Sequence, residues 1–203
     1  VNSYKIFASL KTNGLAAITK LNQFWMSSIL GSIDMTERQV ECVLIEIPQG
    51  SRNKYEYDKE RKVIRFDRML FSSIVYPCDY GFFPDTLALD GDPLDAMVLM
   101  WEPTFPGCVI DVHPVAMLDM EDDKGRDEKI LCVPKRDPLW NYIKTIKQVP
   151  PHLLKEITHF FETYKNLERK DVVVHGWKDL EEALRVIQEA KDRYIEQNKS
   201  SNQ

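Results

Sequence analysis

The chain has no Cys-x-x-Cys pair, no apolar run of membrane-spanning length, no Gly-rich phosphate loop and no excess of positive charge. Each absence narrows the function. The four cysteines, Cys42, Cys78, Cys108 and Cys132, lie far apart, which argues against a zinc site. All four stand in apolar, strand-like sequence, so buried free thiols in a reducing compartment are expected. A membrane-spanning helix needs roughly 18 or more apolar residues in succession, and none occur. A nucleotide-binding loop of the Walker type is missing. The net charge of −5 argues against a nucleic-acid surface, which is usually basic. There is no internal repeat and no low-complexity tract.

What is present is ordinary in bulk. With 203 residues, 43% hydrophobic and 29% charged, the chain reads as one main globular domain. Its start is different. Residues 1–34 carry Lys5, Lys11 and Lys20, no arginine, and no acid before Asp34. Residues 1–40 are read as an atypical N-terminal extension, first as an expression-derived or accessory segment. A remnant of an organelle-targeting segment is the second reading, since such segments are basic, Ser-rich and acid-poor, though usually Arg-rich. A helix packed on the domain or on a partner is the third. Residues 41–197 form the functional domain, and 198–203 a polar tail.

From Val43 to about Val133 the pattern is β. Cys42 to Ile47 reads as a strand stopped by Pro48. Lys54–Tyr57 and Val63–Arg68 flank a charged turn and read as a hairpin. Ser73–Tyr76 reads as extended and leads into a Pro-Cys-Asp-Tyr-Gly turn. Ala96–Trp101, Val109–Met117 and Lys129–Val133 complete the set. The C-terminal third is helical. Leu153, Leu154, Ile157, Phe160, Phe161 and Tyr164 recur at helical spacing, with Pro151 suited to the first turn. Leu180, Ala183, Leu184, Ile187 and Ala190 mark a second helix, opened by Asp179 and Glu182. The fold class is α+β, mainly β: a small OB-like five-stranded β-barrel with flanking hairpins and two packed C-terminal helices.

The densest chemistry is Asp90-Gly91-Asp92-Pro93-Leu94-Asp95. Three carboxylates in six residues repel one another unless a cation lies among them, and hard oxygen donors suit Mg²⁺ or Mn²⁺. In extended backbone Asp90 and Asp92 would point the same way, and a bend at Pro93 would return Asp95 toward them. The plainer alternative is a solvated turn. A second cluster runs from Glu121 to Lys129. Folding it about Gly125 with four turn residues would set Asp122 opposite Asp127, with Lys129 on the face of Asp127; an exposed hairpin tip is the alternative. Glu46 interrupts an apolar strand, and so is either at an edge or paired with something buried. Lys54 and Glu56 share a strand face, as a site pair or as a weak surface ion pair.

In order along the chain, Ile-Glu46-Ile-Pro, Lys54-Tyr-Glu56, Phe-Asp-Arg68, Tyr-Pro-Cys-Asp-Tyr80-Gly, the Asp90–Asp95 run and His-Phe-Phe-Glu-Thr-Tyr164-Lys165 resemble the soluble inorganic pyrophosphatases of family I, bacterial type. The resemblance covers about two thirds of the chain, from Val43 to about Trp177. It implies hydrolysis of pyrophosphate to two orthophosphates by a metal-activated water. Glu46, Glu56, Asp90, Asp92, Asp95, Asp122 and Asp127 match the family's acidic positions, Lys54, Arg68, Lys129 and Lys165 its basic ones, and Tyr80 and Tyr164 its tyrosines.

The roles implied are these. Asp90, Asp95 and Asp127 hold the principal metals, Asp122 and Glu56 help hold those arriving with substrate, and Asp92 is the general base. Lys54, Arg68, Tyr164 and Lys165 grip phosphates. Lys129 tunes Asp127, and Tyr80 donates to a phosphate or orients a neighbour. Several Mg²⁺ ions per site are implied, with Mn²⁺ or Zn²⁺ as substitutes. So are a homohexamer, with His159 either an interface residue or an ordinary partly exposed helix position, a cytoplasmic location (organellar if residues 1–34 are a targeting remnant), and neither nucleic acid nor membrane as partner. The physics agrees with the charge count: seven carboxylates against four cations would repel pyrophosphate without metal and attract it with metal. Rival readings are a non-catalytic metal-binding domain, a nucleic-acid-binding barrel and a hydrolase of other phosphoesters.

Overall fold

Alternating apolar side chains build the sheet in this computed structural model, which describes residues 38–201. The expected N-terminal extension, apart from residues 38–40, lies outside the described residues. The strands are β1 (Glu41–Ile47), β2 (Asn53–Asp58), β3 (Val63–Met69), β4 (Asp79–Phe82), β5 (Asp95–Val98), β6 (Val109–Asp122), β7 (Gly125–Arg126), β8 (Lys129–Pro134) and β9 (Val173–Lys178). The helices are α1 (Pro151–Thr163) and α2 (Leu180–Ser201).

In β1 the pattern is strict: Val43, Ile45 and Ile47 are buried while Cys42, Leu44 and Glu46 are not. The strand order β1-β4-β5-β8-β6, with β6 returning to β1, makes a closed ring of five strands. All its pairings are antiparallel except β5 with β8. Closure depends on β6, whose 14 residues serve two partners. Glu41 and Pro134 both pair with Val112, and a register shift between Pro114 and Ala116 turns the strand there. The β2–β3 hairpin is a separate two-stranded sheet.

Strand faces alternate, so the ring feeds two cores. Met97, Leu131, Leu118 and Val133 pack with Ile157, Phe160 and Phe161 of α1. Ala96, Val98, Ile130 and Cys132 pack with Ala183, Val186, Ile187 and Ala190 of α2. Pro151 occupies the first turn of α1, as its fixed φ favours. Glu181 and Glu182 lie in the first turn of α2, where the helix dipole favours acids.

Two expectations need correction. Ser73–Tyr76 is not a strand. The backbone of Tyr76 is engaged by the loop after β1, with its N–H donating to Ser51 O at 3.0 Å and its carbonyl accepting from Gly50 N at 2.9 Å. The strand is instead Asp79–Phe82, inside the stretch read as a turn, because Gly81 has no side chain to hold β4 away from β1. The cysteines divide as well. Cys78 and Cys132 are buried, but Cys108 is half-buried in the loop before β6 and Cys42 is exposed on the outward face of β1; all four are free.

Candidate active site

The parallel register of β5 and β8 sets Asp95 directly against Lys129, and everything else in the site builds on that pair. The Lys129 ammonium is fully enclosed. It donates to Asp95 Oδ2 at 2.6 Å, to Asp127 Oδ1 at 2.8 Å and to Tyr80 Oη at 3.1 Å. It also lies 5.4 Å from the centre of the Tyr80 ring and 5.3 Å from that of Phe161. Burial alone would lower its pKa, but Asp127 and Asp95 more than offset that and hold it well above the ordinary lysine value. The Asp95 carboxyl is raised by burial, with Asp127 adding to the rise and Lys129 opposing it. The Tyr80 hydroxyl donates to Asp95, and burial pushes its own pKa up. Two carboxylates and a phenol therefore share one buried cation.

The Asp90–Asp95 run is a turn rather than an extended segment. Ala88 N donates to Asp92 O at 2.7 Å, Asp92 N donates to Asp90 Oδ1 at 3.0 Å, and Gly91 takes φ +89°. A side chain with Cβ is strained at that φ, so glycine is what lets the loop close. Only Asp95 stands on a strand. Asp92 projects into solvent, with 57% of its side chain exposed, between Lys59 at 3.4 Å and Lys124 at 3.5 Å.

The second acidic hairpin is tighter than expected. Asp122 pairs with Gly125 across a two-residue turn, so it does not face Asp127. Asp127 continues past the turn, its N–H donating to Met120 O at 2.9 Å, and its side chain reaches Lys129 as the two-residue spacing requires. Asp122 instead accepts from Lys165 Nζ at 2.7 Å. Lys165 follows α1 and lies 5.2 Å from the Tyr164 ring centre. Burial would lower its pKa, and Tyr164 and Asp122 reverse this.

The β2–β3 hairpin forms a further wall. Lys54 donates to Glu56 at 2.6 Å and to Asp67 at 3.5 Å. A register shift pairs Lys54 with Arg68 and Tyr55 with Phe66, leaving Asp67 as the extra residue of a bulge. Glu46 ties the ring to this hairpin by accepting from Tyr57 N at 2.6 Å. Burial pushes the Glu46 carboxyl up to about 7, although the Tyr57 N–H acts against it. Arg68 is held by Asp67 and by Glu168.

All thirteen residues proposed from the sequence line one cavity of about 460 Å³. His159 is exposed on α1 and does not line it. The cavity also contains residues that sequence reasoning passed over: Asp67, Lys59, Lys124 and Lys170. Asp67 stood inside the Phe-Asp-Arg68 motif and Lys124 inside the acidic hairpin, so position in those motifs was the available signal. Lys59 and Lys170 belong to none of those motifs.

Among the described residues, no group of three or more carboxylate, His or Cys side chains is gathered as a ready metal cage. The donor set nonetheless suits Mg²⁺. The cavity offers carboxylate oxygens and no His or Cys, and Mg²⁺ usually takes one or two carboxylates, with substrate phosphate and water completing its octahedron.

Known proteins resemble this chain over most of its length. The family model for inorganic pyrophosphatase matches residues 43–195. A Methanosarcina mazei protein named inorganic pyrophosphatase is 94% identical over 169 residues, covering 83% of this chain and 100% of that one. One from Synechocystis is 55% identical over 152 residues, 75% of this chain and 90% of that one. Among solved structures, the inorganic pyrophosphatase of Thermus thermophilus superposes with a TM-score of 0.75 at 47% identity, over 77% of this chain and 91% of that chain. A truncated Trypanosoma cruzi vacuolar soluble pyrophosphatase, solved in complex with pyrophosphate, gives 0.73 at 25% identity, over 82% and 73%.

Proposed function

This chain belongs to the inorganic pyrophosphatase family, a metal-dependent family, and hydrolyses pyrophosphate to phosphate; we propose that it does so with several Mg²⁺ ions in the cavity between the ring, the β2–β3 hairpin and the end of α1. The observation that carries the proposal is the enclosure of carboxylates and cations together in one space. A passive metal trap would have no use for Lys54, Arg68 and Lys165 there, since each repels a cation.

Pyrophosphate has no apolar handle, so its recognition is electrostatic. Glu46, Glu56, Asp90, Asp92, Asp95, Asp122 and Asp127 are the residues that would hold the ions. When bound, divalent ions neutralise substrate charge and make water a better nucleophile. Lys54, Arg68, Tyr164 and Lys165 bind phosphate oxygens and disperse charge on the leaving group. Asp92, in the exposed turn, accepts the proton of the attacking water. Lys129 fixes Asp95 and Asp127 by donating to one oxygen of each, and Tyr80 orients Asp95. Mn²⁺ or Zn²⁺ would substitute with altered efficiency.

The remaining proposals are coarser. We propose that the catalytic domain spans residues 41–197, slightly more than the matched residues 43–195. The protein is a homohexamer with exposed His159 on an interface, which sedimentation of wild type and His159→Ala tests. It works in the cytoplasm, in keeping with four free cysteines; no described helix is long and apolar enough to cross a membrane.

Two experiments test the chemistry. Phosphate release from pyrophosphate is expected with Mg²⁺ and is expected to vanish in excess EDTA, returning when Mg²⁺ is restored. Release that persists in EDTA would remove the metal from the reaction. Nucleoside triphosphates and phosphomonoesters, assayed in parallel with Mg²⁺, are expected to react far more slowly. Lys165→Ala is expected to raise KM about tenfold to a hundredfold, since a hydrogen bond to a charged group is worth roughly 1.5–3 kcal/mol. Unchanged KM and kcat would remove Lys165 from the site.

A further inference from the structure

Arg68 lies at the cavity wall on β3, in a hairpin that belongs to a separate two-stranded sheet. A side chain 100 positions away holds it. Arg68 Nε donates to Glu168 Oε1 at 3.0 Å and Nη2 donates to Glu168 Oε2 at 2.9 Å. Nη1 donates to Asp67. The Glu168 side chain is only 8% exposed, against 25% for Arg68. Glu168 sits in the short turn Asn166–Glu168 that follows Lys165, and its N–H donates to Lys165 O at 2.9 Å. The segment Lys165–Glu168 therefore carries one cation of the cavity and the anchor of another, Arg68 on the β2–β3 hairpin.

The geometry of guanidinium makes this pairing specific. Arginine has five N–H donors in a fixed plane, with two edges able to bind a pair of oxygens. Glu168 takes the side edge, Nε with Nη2. Asp67 takes one hydrogen of Nη1. One N–H on Nη2 and one on Nη1 remain, enough to bind two oxygens of a phosphate. A free arginine would sample many rotamers, and fixing it at the moment of binding costs affinity. We propose that Glu168 is a positioning residue, which holds the side edge of Arg68 so that its remaining donors face the phosphate. This rests on the reading of Arg68 as a substrate-binding cation.

The proposal opposes simple electrostatics. Removing a carboxylate near the site would, on charge alone, improve the binding of an anion. Positioning requires the reverse. Glu168→Gln keeps the shape, but its amide nitrogen meets a guanidinium N–H as donor against donor, so only one hydrogen bond survives.

The test measures KM and kcat for pyrophosphate and the Kd of methylenediphosphonate, a non-hydrolysable analogue, all with Mg²⁺. The variants are Glu168→Gln, Arg68→Ala and the double substitution, each with its melting temperature recorded. Glu168→Gln is expected to raise KM and Kd about tenfold when Arg68 is present and by less than about twofold when it is absent, because the two act as a unit. Tighter or unchanged analogue binding in Glu168→Gln overturns the proposal, as does an equal loss with Arg68 already removed, which a purely structural role would give. If Arg68→Ala alone leaves KM and Kd unchanged, the assignment of Arg68 fails, and this inference with it. Glu168→Asp keeps the charge but is one methylene short. It is expected to shift Kd in the same direction, and it stands in if the Gln variant does not fold.

Discussion

Asp92→Asn is expected to fold as the wild type does and to lose about 10²–10⁴-fold in kcat, the range a general base supplies. The structure separates these two effects. Asp92 stands in an exposed turn, and its ion pairs with Lys59 and Lys124 are long and solvated, at 3.4 and 3.5 Å. Exposed pairs of this kind contribute little to stability, about 1 kcal/mol or less. The turn itself uses the Asp92 backbone N–H and carbonyl, which Asn retains. Asn also keeps an oxygen of the same reach, so contacts to ligand change little and KM should move only a few-fold. What Asn lacks is the capacity to take a proton. A melting curve within a few degrees of wild type, with kcat reduced at least a hundredfold, is the expected pair of results. A normal kcat would show that another group accepts the proton. The carboxylates nearer the core, Asp95 and Asp127, are poorer candidates, because each already accepts from the Lys129 ammonium through one oxygen.

How much of this was legible beforehand depended on the range of the interaction. Strand β1 could be read because its alternation is local, and α1 because Ile157, Phe160 and Phe161 recur at helical spacing. Strand β4 could not. The Pro-Cys-Asp-Tyr-Gly stretch carries every mark of a turn, and Gly81 acts there through a contact with β1, far away in sequence. Strand β9 was also missed, because His175 and Gly176, the latter at φ +117°, break its run of valines. The ring closes through pairings of β1 with β4 and β6 that no local window contains. The site behaved alike. The thirteen residues proposed from motifs line one cavity, but their contacts were not foreseeable. The Asp90–Asp95 run is a turn rather than a strand, and the hairpin at Asp122 is two residues tighter. Glu168 stands in a charged stretch, between Leu167 and Arg169-Lys170, with no motif around it. Only the fold, by setting it beside Arg68, gives it a purpose.

Gly81→Ala is expected to cost about 4 kcal/mol or more, out of a total that for a domain of this kind is roughly 5–15 kcal/mol. A Cβ on Gly81 would lie 1.9 Å from Leu44 O and 2.8 Å from the Cα of Ile45. These are backbone atoms of β1, so no rotamer change relieves the clash. Relief requires β4 and β1 to separate, and both are members of the closed ring. Gly50→Ala is the natural control. Gly50 has φ +80° and nothing within 4 Å of its missing Cβ, so alanine there meets only conformational strain, about 1–2 kcal/mol. Urea denaturation of the two variants should therefore give a far larger loss for Gly81→Ala, or no folded protein at all. Comparable midpoints would mean that the strands yield easily and that the close approach is not needed. The effect should reach the chemistry too. Gly81 lies between Tyr80, which donates to Asp95, and Phe82, another lining residue, while the facing strand carries Glu46. Any Gly81→Ala protein that folds should lose activity through displaced site residues. Its kcat should stay below the wild-type value even at saturating Mg²⁺, since the strands that carry Glu46 and Tyr80 are themselves displaced.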